Sequence, residues 1–142
     1  MVAAKWGGGP ANIVTEKDGI PVLYPMCNRG FGIRIIFPTN PKAPSKDFCV
    51  NMLRLAPGGV MEPHSHENEE ADIILEGEGI GFFGLGKPVS IKKGMFIHLP
   101  PNAEHGLENT GDEMMKVLVV SAPPFSPIHE WDRKKPVVAH KS

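Results

Sequence analysis

The chain has 142 residues, which suits one domain with one core. Fifteen Lys and Arg against sixteen Asp and Glu leave a formal charge of −1, which excludes a basic nucleic-acid footprint. Two cysteines, Cys27 and Cys49, supply neither a disulfide framework nor a Cys-x-x-Cys metal site, so both are expected to be reduced, buried thiols.

Residues 1–18 are Gly-rich and lack apolar pattern, which marks an N-terminal arm, loose or laid on a neighbouring subunit. The opening run Met-Val-Ala-Ala-Lys-Trp-Gly-Gly-Gly-Pro has no apolar signal-peptide core, and no apolar run is long enough to span a bilayer. A cytoplasmic protein with no membrane and no nucleic-acid partner is the expectation. Over residues 19–125 no window shows a helical apolar stripe. Short apolar or alternating runs recur at 20–24, 33–37, 48–55 and 61–66, then at 71–75, 80–83, 89–91, 95–99, 104–108 and 114–120. The separators are turn chemistry: Pro57-Gly58-Gly59, Glu76-Gly77-Glu78-Gly79, Lys92-Lys93-Gly94, Pro100-Pro101-Asn102 and Asn109-Thr110-Gly111-Asp112. Ten short strands at this spacing predict an all-β sandwich or barrel. A Pro-rich loop, 38–46, is placed at a barrel mouth or edge. Residues 126–142 form a C-terminal tail in which Ser126-Pro127 starts a short helix through Trp131.

The chemistry gathers in Pro63-His64-Ser65-His66-Glu67-Asn68-Glu69-Glu70. On a strand His64 and His66 share one face, because the side-chain period is two. Neutral imidazoles so placed suit a Zn, Fe, Mn, Ni or Cu ion, and a turn after His66 returns Glu70 toward the same point. A lone His-x-His carries little weight. The second cluster, Gly94, Pro100, His105 and Asn109, changes its meaning.

Together these residues resemble the cupin superfamily, small single-domain members above all. The first cupin motif, G-x5-H-x-H-x3,4-E-x6-G, is met by Gly58, His64, His66, Glu70 and Gly77. The second, G-x5-P-x-G-x2-H-x3-N, is met by Gly94, Pro100, His105 and Asn109, with Asn102 where the family has Gly. That position demands a left-handed turn, which Asn tolerates next best. The resemblance implies a double-stranded β-helix, that is, a jelly-roll barrel. It also implies that His64, His66, Glu70 and His105 ligate one divalent ion (Mn, Fe, Ni or Zn), with Asn109 a turn residue. A fourfold protein ligand set leaves octahedral positions open for a small molecule.

Function follows as an expectation in two classes. The first is an enzyme acting on a chelated keto acid, hydroxy acid, diketone or sugar, by dioxygenation or by redox-neutral isomerase, decarboxylase or lyase chemistry. The alternative is a non-catalytic binding protein for a sugar or acid. A homodimer is expected by resemblance. Three further residues are candidates for a substrate pocket: Arg34 and Arg54, set in otherwise apolar strands, and His98, whose facing the alternation leaves open. Met52, Phe83, Phe96 and Met115 are assigned to core or pocket wall.

Overall fold

The computed structural model describes residues 9–125, and these carry nine strands, no α-helix and one short 3-10 turn at Glu16–Asp18. The strands are β1 (Ile20–Val22), β2 (Cys27–Ile36), β3 (Cys49–His64), β4 (Glu69–Glu76) and β5 (Glu78–Phe82), then β6 (Val89–Lys92), β7 (Phe96–Leu99), β8 (His105–Glu108) and β9 (Met115–Ala122). The tail helix expected from Ser126 onward lies outside the described residues.

Two strand boundaries differ from the sequence reading, for physical reasons. The runs 48–55 and 61–66 are one strand, β3, because Pro57-Gly58-Gly59 bends the chain without ending its pairing. The Gly58 N–H donates to Asn109 O at 2.9 Å, and the Asn109 N–H donates to Gly59 O at 2.9 Å. Gly58 takes φ +78°, which a side chain would resist. Strand β2 begins at Cys27, not near Ile33. Its first half, Cys-Asn-Arg-Gly-Phe-Gly, carries glycines that look like breakers. Yet a Cβ on Gly32 would lie 2.5 Å from the Tyr24 hydroxyl oxygen, so the missing side chain is what lets the ring cross the strand.

All nine strands join one antiparallel sheet in the order β6-β5-β8-β3-β9-β4-β7, with β2 on β3 and β1 on β2. Strand β3 links the two halves. Its residues 49–55 lie between β2 and β9, whereas Val60, Met61 and His64 pair with β8. The sheet therefore curls over on itself about the Gly58 bend, giving the jelly-roll architecture that the motifs implied. Of the stretch expected to form an arm, residues 15–18 are held on this same barrel. Thr15 and Asp18 cap the turn reciprocally, Glu16 pairs with Arg54 at 2.5 Å, and Asp18 pairs with Lys42 at 2.8 Å.

Register sorts the side chains. Leu55 opposes Met115, and Leu53 opposes Val117, which opposes Ile74. Leu55, Met115, Val117 and Ile74 are 0–1% exposed and form the centre of the core. Burial of each such side chain is worth about 1.5–3 kcal/mol. The next inward rows toward the open end are polar. One runs Arg34, Asn51, Val119, Asp72, and the other Cys49, Ser121, Glu70. A barrel that is apolar at its base and polar at its mouth has room there for chemistry.

Candidate metal centre

Three strands supply the site. His64 is the last residue of β3 and lies opposite His105, the first residue of β8. His66 follows in the turn to β4, and Glu70 is the second residue of β4, opposite Ser121. The turn that carries His66 is tied to the β7–β8 turn, where the Asn102 N–H donates to His66 O at 2.8 Å. Asn102 has φ +67°, the left-handed conformation that its motif position requires.

Each imidazole is anchored in the same way. Nδ1 of His64 donates to Glu62 O at 2.7 Å, that of His66 to Asn68 O at 3.0 Å, and that of His105 to Ala103 O at 3.0 Å. A ring whose Nδ1 carries the proton presents Nε2 as its lone pair, and a second-layer carbonyl of this kind fixes both ring orientation and tautomer. One ring nitrogen from each of the three lies within 4.8 Å of the others. Glu70 closes the group, with Oε1 at 3.2 Å from His66 Nε2 and Oε2 at 3.6 Å from His105 Nε2. Ligands bound about 2.1 Å from a common ion stand about 3.0–4.2 Å apart. The residues present therefore fit a divalent metal in donor type; Glu70 stands inside that span from His66 and His105, and the three rings lie close enough that a small closure would bring them to one ion.

Electrostatics favours the same state. Burial, with the neighbouring His105 charge, holds His64 down to about 4, and burial also lowers His105, so both rings are neutral donors at pH 7. Burial opposes ionisation of Glu70. Hydrogen bonds from His66 and Asp72, with the charges of His105 and His66, outweigh it and bring the carboxyl to about 2. Asp72 shifts the other way. Burial first, then the charge of Glu70 and the hydrogen bond between the two carboxyls, push Asp72 well above the usual range. Asp72 thus holds its proton toward Glu70, and Ser121 Oγ donates to Glu70 Oε1 at 3.3 Å.

A family model described as a cupin domain matches residues 51–121, half of the chain. The chain belongs to the cupin family. Among curated relatives it is similar to auxin-binding protein 1 of Arabidopsis thaliana, 37% identical over 89 residues, which covers 56% of this chain and 45% of that protein. It is also similar to an oxalate-binding protein of Thermotoga maritima, 39% identical over 69 residues, covering 48% of this chain and 56% of the other. The chain thus spans about half the length of these relatives. Among solved structures, the polyketide cyclase RemF of Streptomyces resistomycificus superposes with a TM-score of 0.69, at 22% identity, over 80% of each chain. That likeness concerns the fold.

In this cupin the histidine centre opens on a cavity of about 40 Å³, room for roughly three waters. Leu53, Met61, Leu107, Val119 and Phe125 make its apolar wall, and Tyr24, Asn51 and Asp72 its polar one. Phe125 also packs edge-on against His66, with ring centroids 5.2 Å apart.

The three pocket candidates separate. Arg34 is buried and faces inward beside Asn51, but it lines a neighbouring cleft with Val22, Phe37 and Phe125 and not the metal cavity itself. Arg54 is a correction: it lies on the opposite parity of β3 from Asn51 and Leu53, faces outward, and is held by Glu16. His98 is a second correction. It opposes Ala71 on the outer face of β4 and bonds Glu69 at 2.6 Å in solvent. Phe96, also on β7, is 80% exposed and belongs to neither core nor pocket. Asn109 is not near the ligand set. Its Nδ2 donates to Leu55 O and Glu113 O, both at 2.8 Å, which clamps the β3 bend to the β8–β9 turn. Sequence reasoning passed over Tyr24, Asn51, Asp72 and Phe125. For Asp72 a signal was present: an acid two residues beyond Glu70 in an apolar strand shares its inward face. Cys27 and Cys49 are free thiols, and burial raises Cys27 to about 11, which suits an unreactive role.

Proposed function

We propose that this cupin is a metal-dependent enzyme acting on a small oxygen-rich acid that enters the cavity and reaches a divalent ion held by His64, His66, Glu70 and His105. The observation that carries the reading is the common anchoring of three imidazoles through Nδ1, which aims three Nε2 lone pairs at one point beside an ionised carboxylate. With an ion bound, the centre supplies Lewis-acid polarisation of a substrate oxygen or, with a redox metal, access to dioxygen. The chain's own residues do the rest. The carbonyls of Glu62, Asn68 and Ala103 keep the rings oriented. Asp72 and Ser121 hold Glu70, and the apolar wall excludes bulk water from the reacting end. The small cavity selects short substrates.

Two curated relatives are named for binding, oxalate in one and auxin in the other, and this supports a second reading as a non-catalytic acid-binding protein. One experiment separates them. The protein is loaded in turn with iron, manganese, nickel and zinc and offered a panel of short keto and hydroxy acids, with oxygen uptake and product followed. Turnover with at least one metal is expected. Tight binding with no turnover under any metal gives the answer to the second reading.

A further inference from the structure

Two buried polar atoms of the cavity wall have no hydrogen-bond partner among the described residues: Asp72 Oδ1 and Asn51 Oδ1. Both residues are at most 3% exposed, and both line the cavity beside His64, Glu70 and His105. They flank Val119 on the inward face, Asn51 from β3 and Asp72 from β4. Their Cα atoms are thus about two interstrand spacings, ~9.6 Å, apart, and a small molecule lying over Val119 meets both side chains. A buried acceptor with no donor destabilises the fold, and an apolar residue at either position would avoid that cost. Asp72 and Glu70 are two residues apart on the inward face of β4 and line the same cavity, which sets the orphaned oxygen beside the Glu70 carboxylate.

Resting on the metal-centre reading above, we infer that the ligand is a short acid bearing a hydroxyl or amino group next to its carboxylate, whose O–H or N–H donates to Asp72 Oδ1 with Asn51 as a second contact. The acid's oxygens take the open side of the histidine centre. An acid with acceptors alone, such as a keto acid or a dicarboxylate, sets lone pairs against Asp72 and Glu70 and is disfavoured.

The test uses the zinc-loaded protein and calorimetry with three probes of equal carbon count: lactate, alanine and pyruvate. Lactate or alanine should bind about 10–100-fold more tightly than pyruvate, and whichever does so says which donor the site takes. Asp72→Asn should keep this ratio, since its amide donates to Glu70 and retains Oδ1. Asp72→Val should bring it within about threefold, as a lost acceptor no longer rewards the donor. Should Asp72→Val fail to fold, Asn51→Ala should lower the ratio by about three- to tenfold. Equal affinity for pyruvate in the unaltered protein, or an unchanged ratio in Asp72→Val, overturns the inference. Zinc content is measured in every sample. Failure of the unaltered protein to hold zinc contradicts the metal reading itself, whereas zinc-loaded protein indifferent to the donor contradicts this inference alone.

Discussion

Two histidine–glutamate pairs sit side by side on β4, and they differ in almost everything but chemistry. Glu69 points outward and bonds His98 at 2.6 Å, with side chains 55% and 65% exposed. Glu70 points inward and lies 3.2 Å from His66, both 7% exposed. The shorter contact is the weaker one in consequence. Solvent screens the outer pair, which has no third metal-ligating partner among the described residues, while the inner pair sits with two more imidazoles beside a buried cavity. Distance alone would have ranked them wrongly. Strand parity and burial decide which pair forms a site.

The sharpest way to break this comparison is to remove one member from each pair. His66→Ala should lose nearly all bound metal, and with it the stabilisation that metal gives the folded state, about 2.7 kcal/mol at a hundredfold excess over Kd. Thermal melts with and without added zinc measure it, and metal-dependent stabilisation equal to that of the unaltered protein would count against the assignment. His98→Ala should change stability by less than about 0.5 kcal/mol and leave metal content intact.

Between these extremes falls a pH effect. The folded pKa of His64 is depressed to about 4 from 6.5, so between those values the unfolded chain binds more protons. Stability of the metal-free protein therefore rises with pH across this window, and it is lost as pH falls from 6.5 to 4, by up to about 3 kcal/mol from this group. Glu70, depressed to about 2, acts in the same direction below 4.5. Denaturant midpoints with chelator present, from pH 7 to 4, should fall less steeply for His64→Gln than for the unaltered protein; parallel slopes would refute this. Asp72 has the opposite sign, since its raised pKa means the folded state clings to a proton that the unfolded state gives up. Asp72→Asn should accordingly be more stable than the unaltered protein at pH 7, by an amount that shrinks toward pH 4.

The clustering of His64, His66, Glu70 and His105 was legible in the sequence because three of them lie within seven residues and the fourth sits in a second spaced motif. Asn102 was legible too, as a residue that must turn left-handed. What escaped was parity over distance. Facing along β2 and β3 passes through register shifts at Asn28/Gly30 and Arg34/Ile36 and through the Gly58 bend, so alternation counted along the sequence could not say which way Arg34 or Arg54 points. His98 and Phe96 failed for a related reason. They lie on β7, at the end of the strand order, where the outward face of the strand is exposed among the described residues. Asp72 was hidden by its neighbours. Among Ala71, Ile73, Ile74 and Leu75 an acid reads as an exception; its parity with Glu70 was the one signal, and the inward row through Val119 gives it a place.

The central claim is that His64, His66, Glu70 and His105 hold one divalent ion. Its most direct test is metal titration with elemental analysis of the unaltered protein beside His98→Ala and a His64→Ala/His105→Ala double variant. The account predicts one ion per chain in the first two and none in the third. A stoichiometric ion in the double variant, or none in the unaltered protein, would contradict it.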